Sequence, residues 1–135
     1  MRLGPLQVPA AASDRTRMLR RRTVILLSVA IGVALELGIH ALTGRREAWD
    51  SPLYWTAGMP IAGAMAVVIG LLARRADWLW SVLIVPGQVL TMMVRSAEIS
   101  GLLPLTVGLS AVLSAPFVLA AFLGSRLRPR RWREG

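Results

Sequence analysis

The chain has 135 residues, 55% of them hydrophobic and 17% charged, with a mean hydropathy of +0.57 and a formal net charge of +9. All sixteen basic residues are Arg, Cys is absent and His occurs once. These counts exclude a disulfide framework, a thiolate metal site, a cysteine nucleophile, a Schiff-base lysine and a lysine-bearing phosphate loop. A single His supplies a two-histidine metal or haem site only if chains associate. No cofactor is expected.

Residues 1–22 read as a flexible basic tail. Their start is rich in Pro and small residues, and Arg15, Arg17, Arg20, Arg21 and Arg22 follow. The apolar run that comes next, about 23–43, has the roughly 20-residue length that crosses the ~30 Å hydrocarbon core of a bilayer. Basic residues before an apolar stretch also describe a signal peptide. This run is longer than a typical signal core and carries Glu36 and His40, which favours an uncleaved helix. Within it, Ser28, Gly32, Glu36 and His40 recur every fourth residue and share one helical face, while Ala30, Ala34 and Gly38 form a small-residue stripe on another.

A second run covers about 53–73. Ser51-Pro52 before it suits an N-cap and first turn, with Glu47 and Asp50 complementing the helix dipole. Trp49, Tyr54 and Trp55 suit the headgroup level. Gly58, Ala62, Ala66 and Gly70 stand four apart, a helix-packing stripe that serves either neighbours within the monomer or a homodimer seam. The third run, about 78–96, opens with Trp78 and Trp80 and contains Pro86-Gly87-Gln88. A mid-helix Pro frees a carbonyl, which Gln88 can satisfy, or the break can open a site. Gln88, Thr91, Arg95 and Glu98 fall on one face. The fourth run, about 102–124, carries Thr106, Ser110 and Ser114 with Ala111 and Ala115 beside them. No run alternates with period two, and no internal repeat relates the two halves.

The fold class that follows is all-α: a polytopic four-transmembrane-helix bundle, domain 23–124, with short loops and a second basic tail at 125–135. Short loops predict that consecutive helices are antiparallel neighbours. Thirteen Arg fall on one side and Arg45, Arg46 and Arg95 on the other, so both termini are expected in the cytoplasm. Exclusive Arg with abundant Ala and Gly points to a GC-rich bacterial genome, hence to the plasma (inner) membrane. The Arg-rich ends are expected to meet anionic lipid headgroups; with no recognition motif beside them, nucleic acid is not an expected partner.

Glu36, His40, Gln88, Thr91 and Arg95 form a candidate polar cluster toward the outer face. Intramembrane charges need partners or water, and Glu36 with Arg95 supplies a pair. His40 adds the side-chain type that changes charge near neutral pH. Read functionally this is an outward-open pocket. Read structurally it is an ion pair fixing how the first span meets the third. No enzyme motif is present. The expectation is a small, non-enzymatic membrane protein that binds or assembles with membrane components, other membrane proteins or copies of itself. A homo-oligomeric channel or carrier for a small solute or protons is the alternative, and a small enzyme acting on a lipid or quinone the weaker one.

Overall fold

The computed structural model describes residues 10–45, 48–74, 76–96 and 103–127. Among them it is all-helical, with four helices long and apolar enough to cross a membrane: Asp14–Thr43, Tyr54–Leu72, Asp77–Arg95 and Pro104–Arg126. Residues 1–9 of the first tail, Arg46, Glu47, Arg75, Glu98 and the tail beyond residue 127 lie outside the described residues.

Helix α1 spans Ala10–Thr43. It begins well before the apolar run, which corrects the flexible-tail reading from residue 10 onward. Between Ala10 and Gly32 there is no Gly or Pro, and Ala, Arg, Met and Leu are good helix formers, so the helix continues past the last apolar residue. It stops at Gly44, whose φ of +66° puts it in the left-handed region open to Gly, while its N–H bonds the His40 carbonyl.

The second span starts at an N-cap: the Ser51 hydroxyl accepts the Leu53 N–H at 3.2 Å. A π-helical turn over Tyr54–Gly58 then leads into α2, Met59–Leu72. The widened turn has a local cause. Pro60 has no N–H for the Thr56 carbonyl and its ring crowds that oxygen, so the chain loosens just ahead of it. The third span opens as a 3₁₀ helix, Asp77–Leu83, and becomes α3 at Ile84–Ser96. Pro86 leaves the Val82 carbonyl without its i+4 donor. The Ser114 hydroxyl of α4 (Leu103–Arg126) reaches that oxygen at 3.0 Å, sharing its one hydrogen with the Ser110 carbonyl at 2.7 Å. Gln88 was the residue expected to cover freed carbonyls; it points elsewhere.

The helices occupy the corners of a square in the order α1, α3, α4, α2. The expectation that consecutive helices are neighbours is therefore corrected for α2 and α3, which stand on a diagonal. The two closest seams join α1 to α3 and α2 to α4, and glycines explain both. A Cβ on Gly32 would run into the Ile84 carbonyl oxygen, and one on Gly87 would lie 2.8 Å from the Val29 oxygen. On the other seam a Cβ on Gly70 would strike the Ala121 oxygen, and one on Gly124 the Val67 oxygen. Backbones meet where side chains vanish, and that contact outranks proximity in the chain.

Between the seams lies a core of Ala62, Ala66, Ile69, Ile84, Val85 and Phe117. The stripe Gly58, Ala62, Ala66 and Gly70 is buried inside the monomer, Gly58 against Ile39 and Leu35 of α1. The stripe Ala30, Ala34 and Gly38 of α1 instead lies exposed, with open space beside Gly38. Ser28, Glu36, Ser81, Gln88, Ser110 and Ser114 are buried, while Leu26, Leu42, Ile61, Val94, Leu105 and Val112 are 58–77% exposed. The exterior is apolar and the interior partly polar.

Candidate functional site

The polar residues converge where α1, α3 and the start of the second span meet. Glu36 sits one turn above Gly32, at the point where the missing side chain draws α1 onto α3. It is 2% exposed. Arg95, from the far end of α3, reaches back so that its Nη1 lies 3.7 Å from Glu36 Oε1. That separation is an ionic contact and too long for a hydrogen bond. The Arg95 side chain is 27% exposed, so the pair joins a buried carboxylate to a partly open guanidinium.

Gln88 lies one turn along α3 from Ile84, on the same inward face, and is wholly buried. Its Oε1 accepts the phenolic hydrogen of Tyr54 at 3.1 Å. Among the described residues its Nε2 has no hydrogen-bond partner. Exchanging the amide oxygen and nitrogen would let the nitrogen donate to the Tyr54 oxygen and leave the oxygen bare instead. In either orientation one amide atom has no partner among the described residues.

Tyr54 stands at the start of the second span, as a headgroup-level residue would, but faces inward and is fully buried. The signal was present: Tyr54, Gly58, Ala62 and Ala66 stand four apart, so Tyr54 begins the same inward stripe. Trp55 behaves as expected for a rim residue. It is half exposed, donates its indole N–H to the Trp49 carbonyl at 2.9 Å and meets Tyr54 edge-on.

Two members of the proposed cluster have local duties. His40 Nδ1 donates to the Arg45 carbonyl at 2.7 Å, and because a carbonyl only accepts, that nitrogen carries the proton. The ring thereby ties the end of α1 to the turn beyond Gly44. Thr91 donates its hydroxyl to the Gly87 carbonyl of its own helix at 2.9 Å. The structure thus brings together Glu36 with Arg95 and Tyr54 with Gln88. Among the described residues no group of three or more His, Asp or Glu converges in a way that could hold a metal ion.

The opposite end of the bundle is aromatic and basic. The Arg21 guanidinium lies 4.6 Å from the Trp80 ring centre, and that of Arg126 lies 4.9 Å from the Phe122 ring. Trp78 meets Phe122 edge-on at 5.1 Å. No protein-family model matches the chain, and neither curated proteins nor solved structures include a similar one. The class that the fold defines is an all-helical bundle with four candidate membrane spans.

Proposed function

We propose that the chain is a non-enzymatic multi-pass protein of the bacterial plasma membrane, with both termini cytoplasmic, that binds or assembles with other membrane components. One observation carries the membrane reading: large aliphatic side chains face outward while Glu36, Gln88 and the serines face inward. In water that arrangement hides polar groups and exposes an apolar surface far beyond a few hundred Å². In hydrocarbon both preferences reverse, because the outward Leu and Val are solvated by lipid and the inward polar groups find partners. Orientation rests on the Arg distribution, thirteen against three.

The interior argues for a binding or assembling component over a conduit. Backbone contact at Gly32, Gly87, Gly70 and Gly124 closes two seams, and Phe117, Ile84 and Val85 fill the space between. The polar cluster is enclosed by elements of one chain, so it joins helices of the monomer. Its ion pair and its Tyr–Gln bond fix how α1, α3 and the second span register, the best-attested use of buried polar pairs.

Expression in a bacterium followed by carbonate washing tests the location, and reconstitution in liposomes tests the activity. The chain is expected to stay in the carbonate-resistant fraction and to pass neither protons nor small ions. Release by carbonate removes the membrane reading. Flux that scales with protein content and is abolished by Glu36→Gln replaces the assembly reading with a channel or carrier.

A further inference from the structure

The buried stripe of α1 is Val24, Ser28, Gly32 and Glu36, each four residues apart. Continued toward the N-terminus it reaches Arg20, with Arg17 three residues earlier and Arg21 beside it. At about 100° per residue, these three positions fall within an arc of about 100°. Residues 14–23 are all exposed and Val24 is the first described residue of α1 to be buried, so the three arginines stand past the packed length of α1 but on its inward side. They lie over the end of the bundle. Arg21 shows the direction, since its guanidinium sits 4.6 Å from the centre of the Trp80 ring, which packs on the core. Arg15, Leu19, Arg22 and Leu26 occupy the opposite side of the helix and face away from the bundle.

Like charges three and four residues apart on a helix repel, and Arg17 stands at both spacings, from Arg20 and from Arg21. Nothing within the chain offsets this. Among the described residues Arg17 and Arg20 make no hydrogen bond or ion pair, Arg21 makes its ring contact alone, and neither Asp14 nor Asp77 pairs with any of them. Residues 1–13 and 128–135 hold one acid, Glu134, and no acidic stretch. The face therefore fits an anion from outside the chain, and its placement narrows the kind. Phospholipid surrounds a bundle and meets the outward side, where Arg15 and Arg22 stand with Leu19 and Leu26. A nucleic acid would add stacked bases to its phosphates, but Trp80 already has Arg21 over it and otherwise packs on the core. Carboxylates need no stacking platform, and the guanidinium fork matches them two bonds at a time.

We propose that the face formed by Arg17, Arg20 and Arg21 docks an acidic segment of a partner protein at the basic end of the bundle. The proposal rests on the assembly reading above and gives the partner its chemistry. Arg21, held against Trp80, fixes the base of the face, while Arg17 and Arg20 supply its unengaged donors. Because the charges ride on a continuous helix, the face is formed before the partner arrives.

The test compares two double variants of the full chain in phosphatidylcholine nanodiscs, with a labelled oligo-glutamate peptide as the probe. Arg17→Gln/Arg20→Gln and Arg15→Gln/Arg22→Gln remove the same charge at the same mean position along α1, from opposite sides of the helix. The first pair is expected to weaken peptide binding about tenfold and the second to leave it within about twofold. The single change Arg20→Gln should show about a threefold loss, and circular dichroism on each variant separates loss of the face from loss of the fold. Equal weakening by the two pairs overturns the proposal, because bulk charge then explains the binding. So does a wild type that ignores the peptide, or one that takes an oligo-uridine RNA of equal charge more tightly. Peptide binding that vanishes in phosphatidylglycerol nanodiscs gives the face to lipid and overturns it too. Blue native electrophoresis of the chain from its native membrane keeps the two readings apart. An assembly that survives Arg17→Gln/Arg20→Gln sinks the face alone, and a wild type that migrates as a monomer sinks the assembly reading.

Discussion

Gln88 is wholly buried and, among the described residues, makes one side-chain hydrogen bond, to Tyr54. Removing one partner of a buried pair strands the other, whereas replacing both by apolar groups of similar shape is close to neutral. Tyr54→Phe is therefore expected to destabilise the protein by about 1 kcal/mol, within the range found for side-chain hydrogen bonds inside membrane proteins. The double variant Tyr54→Phe/Gln88→Leu should melt above the single one. A double variant that melts lower than Tyr54→Phe alone would mean that the amide has a further partner that the hydrogen-bond geometry does not reveal. The same logic applies to Glu36 and Arg95. Arg95→Gln leaves the carboxylate buried and should cost more than Glu36→Gln, which leaves a guanidinium that is already 27% exposed to find other partners. The double change should cost less than the sum, with a coupling of about 1 kcal/mol; strict additivity in a double-mutant cycle would show that the 3.7 Å contact carries no energy. The meeting of Glu36 with Arg95 was legible in the sequence, because both residues fall at one depth and a charge in a span needs a partner. The burial of Tyr54 was harder to read. An aromatic with a polar tip at a span's start suits the rim equally well, and only its four-residue spacing to Gly58 argues for the interior.

At the scale of the elements, composition points to four candidate spans, and their approximate limits follow from the length of each apolar run. What it could not supply was which helices touch. Loop length says that consecutive helices are close at their joined ends. It does not say which pair packs along its length. That is decided by where two glycines face each other, and the pairing of Gly32 with α3 and of Gly70 with α4 emerges only when four helices are placed together. The seam makes a sharp prediction. Gly→Ala in an open helix position gains about 1 kcal/mol of propensity, and Gly38 has open space around it, so Gly38→Ala should leave stability unchanged or raise it. Gly32→Ala drives a methyl into the Ile84 backbone and should cost about 1–3 kcal/mol, as overpacking does. Steric trapping or thermal melting in detergent reads both, and equal behaviour would show that α1 and α3 do not meet at this seam. The irregular starts of the second and third spans follow the same reasoning. Each precedes a proline, and in the third span a hydroxyl from α4 covers the carbonyl whose donor is lost. Ser114→Ala should cost about 1 kcal/mol in the native background and less beside Pro86→Ala, where Val82 regains a backbone donor. A cost unchanged by Pro86→Ala would assign the serine to its other contact, the Ser110 carbonyl at 2.7 Å.

For the molecule as a whole, the distribution of charge along the bundle axis matters more than any contact. Glu36, Arg95 and Arg45 mark one end; Arg21, Arg74 and Arg126 mark the other, together with Trp78 and Trp80. The alternation of direction that this requires is visible in the contacts. Arg21 meets Trp80 and Glu36 meets Arg95, so α1 and the third span run the same way. Ser114 meets Val82 and Phe122 meets Trp78, so α4 runs against them. Tyr54 sits level with Gln88, and Gly70 level with Ala121, so α2 runs with α4. The Arg at residues 15–22, 74 and 126 therefore gather at one end by construction of the fold, and the positive-inside rule is the ground for proposing that this end faces the cytoplasm. The native chain has no Cys, so single cysteines report each side without background. Asp50→Cys, exposed in the turn before the second span, is expected to react with an impermeant maleimide in intact cells. Leu127→Cys, 71% exposed just past α4, should react only after the membrane is opened. The reverse pattern would turn the bundle over and move the basic end outside. Labelling of both sites in intact cells would require an even number of crossings between them, and hence one of the second, third and fourth helices lying outside the bilayer.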